Sequence, residues 1–79
     1  MKSYREYYVA PEVYDAVEQA SEKFAVLKSS TGSYTLGREM EFTDSKDYAM
    51  DSARAAAVSG VEALVVNTVT EEVLLDTNE

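Results

Sequence analysis

Val61-Glu62-Ala63-Leu64-Val65-Val66-Asn67-Thr68-Val69-Thr70-Glu71-Glu72-Val73-Leu74-Leu75-Asp76 contains two apolar runs, Ala63–Val66 and Val73–Leu75. Their spacing fits a β-hairpin that turns near Thr70-Glu71-Glu72. Neither run alternates with polar residues. Consecutive apolar positions mark a strand covered on both faces, so the hairpin is either central in a sheet or clad by a helix on one side and a partner on the other.

Upstream, the period changes twice. From Pro11, Val13, Ala16, Val17 and Ala20 recur at three- and four-residue intervals, with Glu12, Asp15, Glu18 and Glu22 on the opposite side. This is an amphipathic helix with proline in its first turn and carboxylates at its positive end. Phe24-Ala25-Val26-Leu27 reads as a strand. After the turn residues Ser29-Ser30-Thr31-Gly32-Ser33, a second strand follows at Tyr34–Phe42. Its alternation puts Tyr34, Leu36, Met40 and Phe42 on a core face, with Thr35, Glu39 and Glu41 toward solvent. Thr43-Asp44-Ser45 supplies capping oxygens for a second helix, whose stripe of Ala49, Met50, Ala53, Ala56 and Ala57 would let it lie flat on the sheet. Gly60 ends it. Tyr4–Val9 reads as a short strand of aromatic and β-branched residues, with Tyr4 and Tyr8 turned to the core and Tyr7 at the sheet edge. The order β, α, β, β, α, β, β gives one α+β domain over residues 1–79. An antiparallel sheet of four to five strands, built from two hairpins, carries two packed helices.

The composition excludes much chemistry. The 79 residues contain no Cys and no His, which removes disulfides, thiolate metal sites, thiol nucleophiles and the usual neutral-pH base. No apolar run approaches the roughly 20 residues of a membrane-spanning helix, and no secretory leader is evident, so a cytoplasmic protein without membrane contact is expected. The carboxylate groups Glu39/Glu41, Glu71/Glu72 and Asp44/Asp47/Asp51 read as solvated faces rather than as acid–base pairs. No calcium loop or phosphate-binding glycine loop is present. We therefore expect no catalytic residues, no metal and no cofactor.

Two features point to binding. The net charge is −8, and residues 55–79 lack Lys and Arg altogether. The acidic positions Glu12, Asp15, Glu18, Glu22, Glu39, Glu41, Asp44, Asp47 and Asp51 could imitate spaced phosphates and occupy a basic groove on a protein, although solubility alone would use the same residues. Tyr4, Tyr7 and Tyr14 could form an aromatic patch, as tyrosine is enriched at interfaces, or could simply fill the core. Direct nucleic-acid binding is disfavoured by the charge.

In size, acidity and element pattern, with Glu12/Asp15/Glu18/Glu22 and Asp44/Asp47/Asp51 on two helices beside two hairpins, the chain resembles the small acidic inhibitors that phages encode against host defences, the anti-CRISPR and anti-restriction proteins. The resemblance implies a non-enzymatic protein that blocks a nuclease or CRISPR-type complex at its nucleic-acid site. The Phe24–Phe42 hairpin followed by the alanine-rich helix Ser45–Ser59 also resembles antitoxins of the HicB kind. The alternative to an inhibitor is therefore an antitoxin-like protein or a small interaction or oligomerisation module that binds through its tyrosine-rich N-terminal region, Tyr4–Tyr14, or an exposed sheet edge, with a homodimer as one form.

Overall fold

The computed structural model describes residues 2–35 and 40–78. A 3-10 turn at Tyr4–Glu6 precedes α1 (Pro11–Gln19), β1 (Phe24–Ser29), β2 (Glu41–Thr43), α2 (Lys46–Val58), β3 (Glu62–Asn67) and β4 (Val73–Asp76). The strands form one antiparallel sheet in the order β2-β1-β3-β4, and the fold is α+β.

Why β3 is apolar at consecutive positions is now visible. It lies between β1 and β4, and its side chains alternate into two separate cores. Leu64 and Val66 join Ala25 and Leu27 of β1, Val13 and Val17 of α1, Tyr4 and Tyr34 on one face. Ala63 and Val65 join Val26, Ala49 and Ala53 on the other. All four residues Ala63–Val66 are fully buried. Helices α1 and α2 therefore cover opposite faces of the sheet. Strand β4 is an edge strand whose residues are half-buried. The register slips between Val65, which faces Leu75, and Val66, which faces Val73. Leu74 is the extra residue of a bulge, and so both Leu74 and Leu75 pack on the α2 side.

Local chemistry fixes the helix ends. Ser45 caps α2 by accepting from the Tyr48 amide at 3.1 Å, and Gly60 closes it at φ +85°, a conformation glycine adopts without strain. Pro11 opens α1, and Val13 and Val17 form its buried stripe.

Four expectations are corrected. Tyr4–Val9 is not a strand. Ser3 and Glu6 form a capping box that winds Tyr4–Glu6 into the 3-10 turn, leaving only the single bridges Ser3–Glu72 and Val9–Tyr34. The turn also changes which tyrosine faces inward: Tyr4 is buried and Tyr7 half-buried on the core, whereas Tyr8 is 83% exposed. In the second strand, Tyr34, Met40 and Phe42 do share the core face, but Tyr34 makes one parallel bridge and regular pairing is confined to Glu41–Thr43. Glu41 does not face solvent. It stands opposite Val26 on the face that α2 covers. Leu36–Glu39, including the acidic position Glu39, lie outside the described residues.

Candidate functional site

The α1 side of the sheet is built around tyrosine. The backbone of residues 2–7 is strapped across the β3–β4 turn, with the Val73 amide donating to the Lys2 carbonyl at 2.8 Å and the Tyr4 amide to the Glu71 carbonyl at 3.0 Å. Tyr4 then plugs the core and meets Tyr14 of α1 edge-to-face at 5.2 Å. Arg5 lies over the Tyr14 ring at 4.5 Å and grips Glu71 with two hydrogen bonds, of 2.7 and 2.9 Å. That clamp holds the Glu71 carboxyl below its usual range. Glu18 is a more distant partner of Arg5 at 3.7 Å.

After the strap, Tyr8 and Ala10 bracket Tyr34: the Tyr34 amide donates to the Tyr8 carbonyl and the Ala10 amide to the Tyr34 carbonyl, both at 2.8 Å. Backbone pairing thus fixes the Tyr34 ring, which meets Tyr7 edge-to-face at 6.4 Å and is 3% exposed. At this end of the sheet, Glu62 opens β3 and Asp76 closes β4 on the same face. Ser29 accepts from the Thr31 amide and donates to the Ser33 carbonyl, bending the chain so that Gly32, at φ +87°, arrives beside Glu62. The result is a groove of about 290 Å³ lined by Glu6, Tyr7, Tyr8, Tyr34, Glu62 and Asp76, with Gly32 and Asn78 at its margin. Tyr7 donates to Asp76 at 2.8 Å. Burial, Asp76 and Glu62 together push the Tyr34 hydroxyl up to about 12.

The acidic positions expected to act together do not share a surface. Glu12, Asp15 and Glu18 are exposed on α1, with Glu22 half-buried beyond its end, while Asp44, Asp47 and Asp51 are exposed at the start and along the length of α2, across the sheet. Asp44 also accepts from the Lys23 amide. Glu41 is already engaged: it accepts from Ser52, Tyr48 and Lys28, and these hydrogen bonds lower its pKa, Ser52 most. Among the tyrosines, Tyr4 offers no surface, Tyr14 lies half-buried under Arg5, and Tyr7 alone of the three lines the groove.

Sequence reasoning missed Glu6, Tyr8, Tyr34, Glu62 and Asp76 as a set. No local motif joins them, because they come from four stretches of chain that only the sheet topology brings together. The usable signal was the lysine- and arginine-free C-terminal third, which includes Glu62 and Asp76. Among the described residues no group of three or more carboxylates is arranged to hold a metal ion, and no helix is long and apolar enough to cross a membrane. Compared with protein-family models, curated proteins and solved structures, the chain matches none.

Proposed function

We propose that the protein is a non-enzymatic inhibitor that acts in the cytoplasm by docking on a basic surface of a protein partner, of the kind that lines the nucleic-acid site of a nuclease or CRISPR-type complex. One observation carries this reading: the negative charge is unequally balanced across the sheet. On the α2 side, Lys28, Lys46 and Arg54 stand among Glu41, Asp44, Asp47 and Asp51. On the tyrosine side, Glu12, Asp15, Glu62 and Asp76 have no ion-pair partner among the described residues, and Lys2 and Arg5 are drawn onto the rings of Tyr7 and Tyr14. A surface with uncompensated carboxylates attracts a cationic partner over long range and repels nucleic acid.

The test is affinity capture at low salt and at about 0.5 M salt, followed by measurement of nucleic-acid binding by the captured complex, since screening weakens such association steeply. The reading requires a salt-labile partner whose nucleic-acid binding is displaced by the protein. It also requires that Glu12→Lys, Asp15→Lys and Glu18→Lys, introduced together, abolish capture without unfolding the chain. Capture indifferent to salt, or unaffected by the triple charge reversal, would defeat it.

A further inference from the structure

Resting on this reading, we infer that residues 2–6 are an autoinhibitory latch. It opens as a unit on an otherwise folded chain and, in opening, withdraws Arg5 from Glu71 and Glu18, so that an arginine of the basic partner takes its place.

The segment is built to move as one piece. Its capping box satisfies it internally: the Ser3 amide donates to the Glu6 carboxylate at 3.0 Å, the Arg5 amide to the Ser3 hydroxyl oxygen at 3.2 Å, and the Glu6 amide to the Ser3 carbonyl at 3.1 Å. Its fastenings converge on residues 71–73, through the Val73 amide on the Lys2 carbonyl, the Tyr4 amide on the Glu71 carbonyl, and the Arg5 clamp. From Tyr7 onward the chain is pinned again, by Tyr7 on Asp76 and by Tyr8 and Ala10 on Tyr34, which makes the extended residue Tyr7 the hinge. The closed latch also carries costs. Tyr4 is 0% exposed and its hydroxyl is buried without a hydrogen-bond partner, which water would supply on release. Glu71, the residue that holds the latch, stands at φ +64°, a conformation that is costly for any residue with a side chain. Burial of the Tyr4 ring opposes release and keeps the open form a minor one.

The clamp shows what the open form accepts. The Arg5 guanidinium lies 4.5 Å from the Tyr14 ring, grips Glu71 through two nitrogens and stands 3.7 Å from Glu18. Tyr14 and Glu18 belong to α1 and Glu71 to the β3–β4 turn, so none of the three leaves with the latch. A guanidinium from outside finds the same ring and the same carboxylates, and its planar fork suits them better than an ammonium does. The clamp is within reach of such a competitor, because the side chains of Arg5 and Glu71 are 45% and 28% exposed. Lys2 leaves with Arg5, so the face sheds two of its own cations in the same step.

The test is amide hydrogen exchange on the whole chain, with and without N-acetyl-hexa-arginine amide at matched ionic strength. The Tyr4 and Val73 amides bond across the latch, and they should exchange at least about tenfold faster than the slowest amides of β3. Bound peptide should accelerate these two at least about tenfold further, while the β3 amides stay as slow or become slower. Arg5→Ala should speed Val73 exchange, and lower the half-saturating peptide concentration, by the same factor of about three to ten. Tyr4→Phe, which leaves the charge unchanged, should slow Val73 exchange and raise that concentration together, about two- to fivefold. Latch amides as slow as those of β3, a peptide that fails to bind or binds without speeding Val73, or unchanged peptide affinity in Tyr4→Phe would each overturn the latch. If it falls while salt-labile capture and its dependence on Glu12, Asp15 and Glu18 persist, the latch alone is wrong. Loss of that capture would bring down the docking reading, and the autoinhibitory role with it.

Discussion

The two faces of the sheet are covered by opposite kinds of side chain. On the α2 face, Ala49 and Ala53 meet Val26, Ala63 and Val65, so the helix backbone comes close to β1 and β3. On the α1 face, Tyr4, Tyr7, Tyr14 and Tyr34 form a layer between α1 and the same two strands, and the helix stands farther off. Among the described residues the thin face has no fully buried hydroxyl, and its half-buried Ser52 is bonded to Glu41. The thick face must accommodate several, and where its layer runs out, at the far end of β3 and β4, it leaves the groove. Close packing by small residues brings the helix onto the sheet and leaves no groove between Ala49, Ala53 and the strands beneath them. Packing by large amphipathic residues produces both a core and an open groove, at the risk of leaving polar atoms unpaired.

The contrast is broken most severely by removing a large member of the tyrosine layer. Tyr4→Ala should cost about 3–5 kcal/mol, a large part of the stability of a small domain, because neither α1 nor the sheet can collapse into the space left. Urea unfolding would measure it, and a loss under about 1 kcal/mol would mean the layer is not close-packed. The opposite perturbation belongs to the thin face. Ala53→Leu should cost about 1–3 kcal/mol by forcing α2 off β1 and β3, while Ala57→Leu, on the exposed side of the same helix, should change stability by less than about 0.5 kcal/mol. Equal effects at the two positions would deny the close approach.

Alkali should also find the tyrosine face first. Burial, reinforced by nearby carboxylates, pushes the hydroxyls of Tyr4 and Tyr34 from 10.0 up to about 12. Between those values the unfolded chain has released protons that the folded chain retains, so stability falls as pH rises. The contribution is complete below pH 10 and is lost as pH passes 12. Each tyrosine should account for a loss on the order of 1–2 kcal/mol, read as a shift in denaturant midpoint that shrinks in Tyr34→Phe. The other face responds to acid. Glu41 is held below its ordinary 4.5 by Ser52, Tyr48 and Lys28, so its stabilisation is present above that pH and disappears as pH falls through the lowered value. Glu41→Gln should cost about 1 kcal/mol at neutral pH and flatten the acid limb.

What could be read in advance divides along the same line. The thin face was largely legible, because its evidence is local: Ala49, Met50, Ala53 and Ala56 of the α2 stripe, the Ser45 cap, Gly60 and the unbroken run Ala63–Val66 each name their own environment, whereas Ala57, read into the same stripe, is exposed. The thick face was not. Tyr4–Val9 has strand-forming residues, and only the capping box, Ser3 with Glu6, separates a 3-10 turn from a strand; that box was in the sequence and carried the answer. The bulge at Leu74 could not be foreseen from an apolar triplet that suits either register. The groove is less legible still. Glu6, Tyr34, Glu62 and Asp76 are far apart in the chain, and their meeting depends on strand order, on β4 ending where β3 begins and on Tyr34 being pinned between Tyr8 and Ala10.

The smallest change gives the finest test of the comparison, because it separates the tyrosine ring from its hydroxyl. Tyr4 and Tyr34 are both withdrawn from solvent, but only Tyr34 reaches a groove, and the Tyr4 hydroxyl is buried without a hydrogen-bond partner. Tyr4→Phe keeps the ring that fills the core and meets Tyr14, and it deletes the orphaned polar group. Since an unpaired buried hydroxyl is destabilising, the variant should gain about 0.5–1 kcal/mol and lose less stability in alkali. Tyr34→Phe should be closer to neutral, because its hydroxyl lies at the groove and is not sealed in the core. If Tyr4→Phe instead lost about 1 kcal/mol, the hydroxyl would have a water partner in solution, and the thick face would be as fully satisfied as the thin one.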